Sequence, residues 1–119
     1  MGGWWSGLMH SQEEHEAEQL AERLEGSGAD PIAGCQRGRP ARVCGTIRSV
    51  AIRPRAKTPT LEAEVYDGTG HLTLVWLGRR HLAGVEVGRM IEASGRVTCP
   101  ADRPVMFNPS YSLLLGGAE

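Results

Sequence analysis

Val65-Tyr66-Asp67-Gly68-Thr69-Gly70-His71-Leu72-Thr73-Leu74-Val75-Trp76-Leu77-Gly78-Arg79-Arg80 is the stretch that decides the fold. It reads as a strand, a tight turn and a second strand that ends on two arginines. Asp67-Gly68 and Gly70 offer the left-handed backbone that a hairpin turn needs. With Tyr66 opposite His71, Val65 faces Leu72, Ala63 faces Leu74 and Leu61 faces Trp76. Leu61, Ala63, Val65, Leu72, Leu74 and Trp76 then share one side. Glu62, Glu64, Tyr66, His71, Thr73 and Val75 share the other. Period-two alternation on both arms is the signature of a half-buried antiparallel hairpin. Trp76, on the apolar side, is expected in the core.

Upstream, Ala41 to Ile52 reads as a long strand. Val43 and Ile47 have one parity and Val50 and Ile52 the other, so a bulge or sharp bend is expected between Gly45 and Ser49. A long, bent first strand is how a small closed barrel serves two sheets. Arg53-Pro54-Arg55-Ala56-Lys57-Thr58-Pro59 follows as a basic loop with no acid of its own. Downstream, Gly78 to Gly84 is read as a single turn of helix and Val85 to Gly88 as a turn. Strands follow at Arg89–Thr98 and at about Val105–Leu114. Pro109 inside the last of these implies an edge or a break, because proline donates no ladder bond.

Composition fits many short strands and turns. Sixteen glycines and seven prolines in 119 residues are high, and with only three Trp, two Tyr and one Phe the core must be mainly aliphatic. Cys35, Cys44 and Cys99 are an odd number with no paired spacing, which argues against a disulfide scaffold and against a metal site. His10 and His15 lack a third ligand and read as a solvated face. No apolar run approaches the ~20 residues of a membrane span, and Met1 to Met9 lacks the regions of a signal peptide. The expected location is the cytoplasm.

Charge divides the chain in two. Residues 1–36 carry seven acids against the single base Arg23, a formal −6, whereas residues 37–119 carry twelve bases and seven acids, a formal +5. The acidic part, residues 1–40, reads as a helical arm and linker. Ser11 as N-cap with Glu14 three residues on begins a helix that runs to Leu24, with a narrow stripe of Ala17, Leu20, Ala21 and Leu24. Gly26 to Pro40 reads as linker. Trp4 and Trp5 read first as packing back onto the domain or onto the helix; the other reading makes residues 4–25 a docking segment for a protein partner. The arm is also placed to screen the basic body from an anionic ligand. Residues 41–115 form the folded barrel, and 116–119 a flexible tail.

Three strands, a short helical connection and two more strands is the element order of the OB-fold. Gly45-Thr46-Ile47, Asp67-Gly68-Thr69-Gly70, Gly88 and Gly95-Arg96-Val97 make this chain similar to nucleic-acid-binding OB domains, among them anticodon-binding modules and the wedge domains of branched-DNA helicases. The longer pattern, Leu74 to Arg80, then Gly95-Arg96-Val97 and Asn108-Pro109-Ser110-Tyr111, resembles small stand-alone OB-fold proteins of actinobacteria. The resemblance implies an all-β, five-stranded Greek-key barrel. Strands 2 and 3, with the 1–2 and 4–5 loops, would hold the ligand.

Nucleic-acid binding needs cations for phosphates and flat groups for bases. The cations are Arg53, Arg55 and Lys57 on the 1–2 loop, Arg79 and Arg80 after strand 3, and Arg103 on the 4–5 loop. The flat groups are Tyr66 and His71, adjacent on the outward side, with Phe107 and Tyr111 as further candidates. Glu62 and Glu64 point outward as well and oppose a phosphate backbone. No triad spacing, Walker-type loop or dinucleotide glycine loop is present, so catalysis is not expected. The expected function is non-enzymatic binding of single-stranded DNA or RNA with low sequence specificity and no cofactor. The alternative is a protein-interaction module or accessory subunit that uses the barrel and the acidic N-terminal arm.

Overall fold

The architecture turns on β1 (Pro40–Arg55). Its first half, Pro40 to Thr46, pairs antiparallel with β4 (Met90–Thr98). From Thr46 to Arg55 it pairs antiparallel with β2 (Thr58–Tyr66). One strand thus serves both sides of a barrel in the computed structural model, which describes residues 28–114. The changeover has a steric requirement. A Cβ on Gly45 would lie 2.6 Å from the Tyr66 carbonyl oxygen and 2.6 Å from Val65 Cγ1, so only glycine lets β2 cross so close.

The change of apolar parity is a bulge where the sequence indicated one. Ile47 pairs with Val65 and Ser49 with Glu64, leaving Arg48 as the extra residue. Beyond it, Val50 and Ile52 return to the side of Ala63 and Leu61. The opening hairpin has the register that its alternation predicts: β2 meets β3 (His71–Leu77) with Tyr66 opposite His71 and Leu61 opposite Trp76. β3 runs parallel to β5 (Val105–Phe107), and β5 runs antiparallel to β4. The ring β1-β2-β3-β5-β4 closes through the β1–β4 pairing. β6 (Ser110–Leu113) continues along β4 on the far side of Pro109, so the expected fifth strand is present but broken at the proline.

The break is itself bonded. Asn108, at φ 51, donates its N–H to the Val75 carbonyl at 2.6 Å and accepts from the Leu77 N–H at 3.0 Å. The buried Pro109 offers its carbonyl to Trp76 Nε1 at 3.1 Å. Trp76 is therefore a core residue with its one polar atom satisfied, and Tyr111 packs edge-on against it at 5.5 Å. Around them the core is aliphatic: Val43, Ile47, Val65, Leu72, Leu74, Ile91, Val97 and Met106 are fully buried.

The connection between β3 and β4 is not the expected turn of helix. Gly78, Gly84 and Gly88 all take positive φ, and the segment is a chain of separate turns closed by Val85 N–H to Leu82 O and Arg89 N–H to Glu86 O. Left-handed glycines stop each turn before a second helical bond can form.

Residues 28–39, linker-like in composition, are docked onto the barrel. Ile32 begins a 3-10 turn (Ile32–Gly34) and enters the core at 4% exposure. Gly38 N–H bonds Val97 O at 2.7 Å, and Val97 N–H bonds Arg39 O at 3.0 Å. Burial pushes the neighbouring Cys35 thiol up from its ordinary value, with Asp30, Asp67 and Cys99 adding to the push. It packs as a small apolar group. The acidic helix read at Ser11–Leu24, with Trp4 and Trp5, and the tail 116–119 lie outside the described residues.

Candidate nucleic-acid interface

The outward face of β1, β2 and β3 gathers most of the candidate residues. Successive rows on this face are Tyr66 with His71, Glu64 with Thr73, and Glu62 with Val75, and Val75, expected outward, is fully buried under its neighbours. Phe107 joins the last row, because β5 sets it beside Val75. From His71 to Val75 the rows span roughly 13 Å along β3.

At one end the aromatic pair is formed. The rings of Tyr66 and His71 lie 4.8 Å apart between centroids, tilted by 30°. The Arg48 guanidinium sits over the Tyr66 ring at 5.1 Å. Glu64 lies on the same patch, with Oε1 3.4 Å from His71 Nδ1. Arg48, Glu64, Tyr66 and His71 line an open cleft of ≈ 310 Å³. A second cleft, lined by Glu64, His71, Thr73, Asp102, Arg103 and Pro104, adjoins it. Thr73 donates its N–H to Pro104 O at 3.1 Å and so fixes the turn that carries Arg103.

Arg48 is not among the cations that the sequence pattern singles out. It is the bulge residue, and the two residues of such a bulge stand together opposite one partner residue. The parity change located the bulge but did not say which side chain it aims.

At the other end, the expected basic 1–2 loop is a β-ribbon. β1 continues to Arg55 and β2 starts at Thr58, with Arg53 opposite Thr60 and Pro54 opposite Pro59. Only Ala56 and Lys57 turn, at φ 49 and 68, the signs of a two-residue type I′ turn. Cross-strand pairing continues past the point where proline and charge suggested that it stops. The same pairing supplies the acid that the local sequence lacks. Arg53 and Arg55 both fall on Glu62's face, at 3.5 and 3.3 Å from its two oxygens. Arg55 also lies over the Phe107 ring at 5.6 Å.

Arg79 and Arg80 are exposed where β3 leaves the sheet, and the Gly78 N–H bond to Pro59 O, 2.8 Å, holds their base against the ribbon. The ribbon tip, Lys57, is exposed as well. Tyr111 stands apart from the outward rows: it is half-buried against Trp76 on β6. The face thus brings together Arg53, Arg55, Tyr66, His71, Arg103 and Phe107, adds Arg48, and leaves Tyr111 to the core.

A closed five-strand ring with β3 parallel to β5, served twice by a bent β1, is an OB barrel. No protein-family model matches this chain, and no curated protein does. Solved structures do match. One is RecG bound to a three-way DNA junction, at TM-score 0.63 and 19% identity, covering 74% of this chain and 13% of that one. Another is a replication factor A related protein from Methanobacterium thermoautotrophicum, at TM-score 0.60 and 16% identity, covering 73% of this chain and 91% of that one. A third is a replication protein A heterotrimer bound to ssDNA, at TM-score 0.51 and 14% identity, covering 73% and 72% of the two chains. At these identities the likeness is one of fold.

Proposed function

We propose that this protein binds single-stranded nucleic acid, DNA or RNA, along the outward face of β2 and β3, with low overall sequence specificity and without catalysing a reaction. One observation carries the reading. A cation lies over an aromatic ring at both ends of one sheet face, Arg48 over Tyr66 and Arg55 over Phe107. Bases stack on such rings whatever their identity, and in the complex each guanidinium swings off its ring to meet a phosphate beside the stacked base. Lys57, Arg79, Arg80 and Arg103 extend the positive path at its two ends. That RecG, a small part of which has this fold, and replication protein A were solved with DNA supports the reading. We place the protein in the cytoplasm.

The alternative is a surface for a protein partner. It is favoured by Ile52, Leu77 and Phe107, apolar side chains that stay 57%, 45% and 39% exposed on the ribbon and strand ends. Fluorescence anisotropy with labelled single-stranded DNA and RNA separates the two. Binding at low salt that weakens steeply with salt, and falls in an Arg53/Arg55/Lys57→Ala variant, supports the nucleic-acid reading. No binding at low salt, or binding indifferent to those residues, favours the protein partner.

A further inference from the structure

The two acids of the outward face differ. Glu62 is 16% exposed and held by two guanidiniums, so its charge is balanced within the protein. Glu64 is 47% exposed and lies beside the stacking pair, 3.4 Å from His71 Nδ1. A face that only tracked phosphates would gain nothing from a presented carboxylate at its aromatic end. A face that reads a base would.

We infer that the cleft between Arg48, Tyr66, His71 and Glu64 is a single-base subsite that selects guanine from the bound strand. The inference rests on the nucleic-acid reading above. An ionised carboxylate only accepts hydrogen bonds, through two oxygens side by side. Guanine alone among the common bases has two adjacent donors, N1–H and the N2 amine, on the edge it uses for pairing. Adenine and cytosine set one amine beside a ring acceptor, which a carboxylate repels. Thymine and uracil set one N–H between two carbonyls. With a base stacked on Tyr66 and His71, Glu64 is the group placed to meet that edge, as single-stranded recognition requires. Arg48 lines this cleft with Glu64, and Arg103 lines the adjoining one together with Asp102, so two guanidiniums stand beside the two carboxylates on the path to the neighbouring phosphates.

The test uses the full chain and a short labelled oligothymidylate, alone or with one central thymidine replaced by dG, deoxyinosine, dA or dC. Anisotropy is read at one low salt concentration. The dG probe should bind about fivefold or more tighter than oligothymidylate. Deoxyinosine, which lacks the N2 amine, should lose most of that gain, and dA and dC should show none. Glu64→Gln should abolish the dG preference and tighten the oligothymidylate, because a repelling charge is gone. Circular dichroism confirms that the variant is folded. If oligothymidylate binds but all probes bind alike, or if Glu64→Gln keeps the dG preference, the subsite is overturned and general binding stands. If neither these probes nor their RNA counterparts bind, both fall.

Discussion

Asp67 Oδ2 accepts the backbone N–H of Ile32 at 2.8 Å, across 35 positions of the chain. Its other oxygen accepts from Thr69 N–H at 2.8 Å, Thr69 Oγ1 at 2.6 Å and Gly70 N–H at 3.1 Å. One fully buried carboxylate thus shapes the β2–β3 turn and fastens the segment before β1 to it. Gly70 serves this contact rather than the turn. Its φ is not left-handed, but a Cβ there would come within 3.2 Å of Ile32 Cγ2.

Asp67→Ala is expected to destabilise the barrel by about 3 kcal/mol, since several buried or half-buried N–H groups lose their acceptor at once. Asp67→Asn should cost less, about 1–2 kcal/mol, because one amide oxygen remains while the NH2 group faces a donor. Urea unfolding reads both as a lower midpoint at unchanged slope. An Asp67→Ala midpoint equal to wild type would mean that water replaces the carboxylate.

Gly45 and Gly38 separate two reasons for glycine. At Gly45 an added Cβ meets a backbone carbonyl and a core side chain at 2.6 Å, so β1 and β2 must part. Gly45→Ala should cost about 2–3 kcal/mol. Gly38 is left-handed, at φ +79, with nothing within 4 Å of a Cβ. Gly38→Ala should cost only about 1 kcal/mol, the backbone penalty alone. Thermal melting ranks the two, and equal losses would remove close approach as the cause at Gly45.

Local patterns made the barrel legible in the sequence. Strict alternation around Asp67-Gly68 fixed the β2–β3 register, the parity change between Ile47 and Val50 located the bulge, and Pro109 announced the broken last strand. What stayed hidden depends on partners distant in sequence. Ile32 is a lone apolar residue in a glycine- and proline-rich stretch, and nothing near it shows that Asp67 will hold it. Proline and like charge are local signals of a loop in the 1–2 ribbon, whereas β2 supplies both the pairing and Glu62. Arg48 is hidden for a third reason: a bulge's position does not by itself reveal where its side chain goes.

Tyr66 is half-buried and packs outside the core, so its removal tests binding more than folding. Tyr66→Ala should weaken single-stranded DNA binding by about 1–3 kcal/mol, the worth of one stacked base, while Tyr66→Phe keeps most of the affinity. Arg48→Ala should also weaken it and reduce the slope of log affinity against log salt by about 0.7, one phosphate contact. Anisotropy across a salt series measures both. An unchanged slope in Arg48→Ala would assign Arg48 to Tyr66 rather than to the strand.

Glu62 yields a gain rather than a loss. Its carboxylate holds Arg53 and Arg55 at 3.5 and 3.3 Å, in competition with any phosphate they would bind. The pairs are at the surface, so breaking them should change stability by no more than about 0.5 kcal/mol. Glu62→Gln should then tighten single-stranded DNA binding by about threefold to tenfold at low salt and steepen its salt dependence. The gain must pass through the two arginines if the ribbon is the phosphate path. In an Arg53/Arg55→Ala background, Glu62→Gln should therefore recover much less, a coupling that the mutant cycle measures directly. Were the gain the same in both backgrounds, Glu62 would act only through the general field of the face, and Arg53 and Arg55 would not be contact residues.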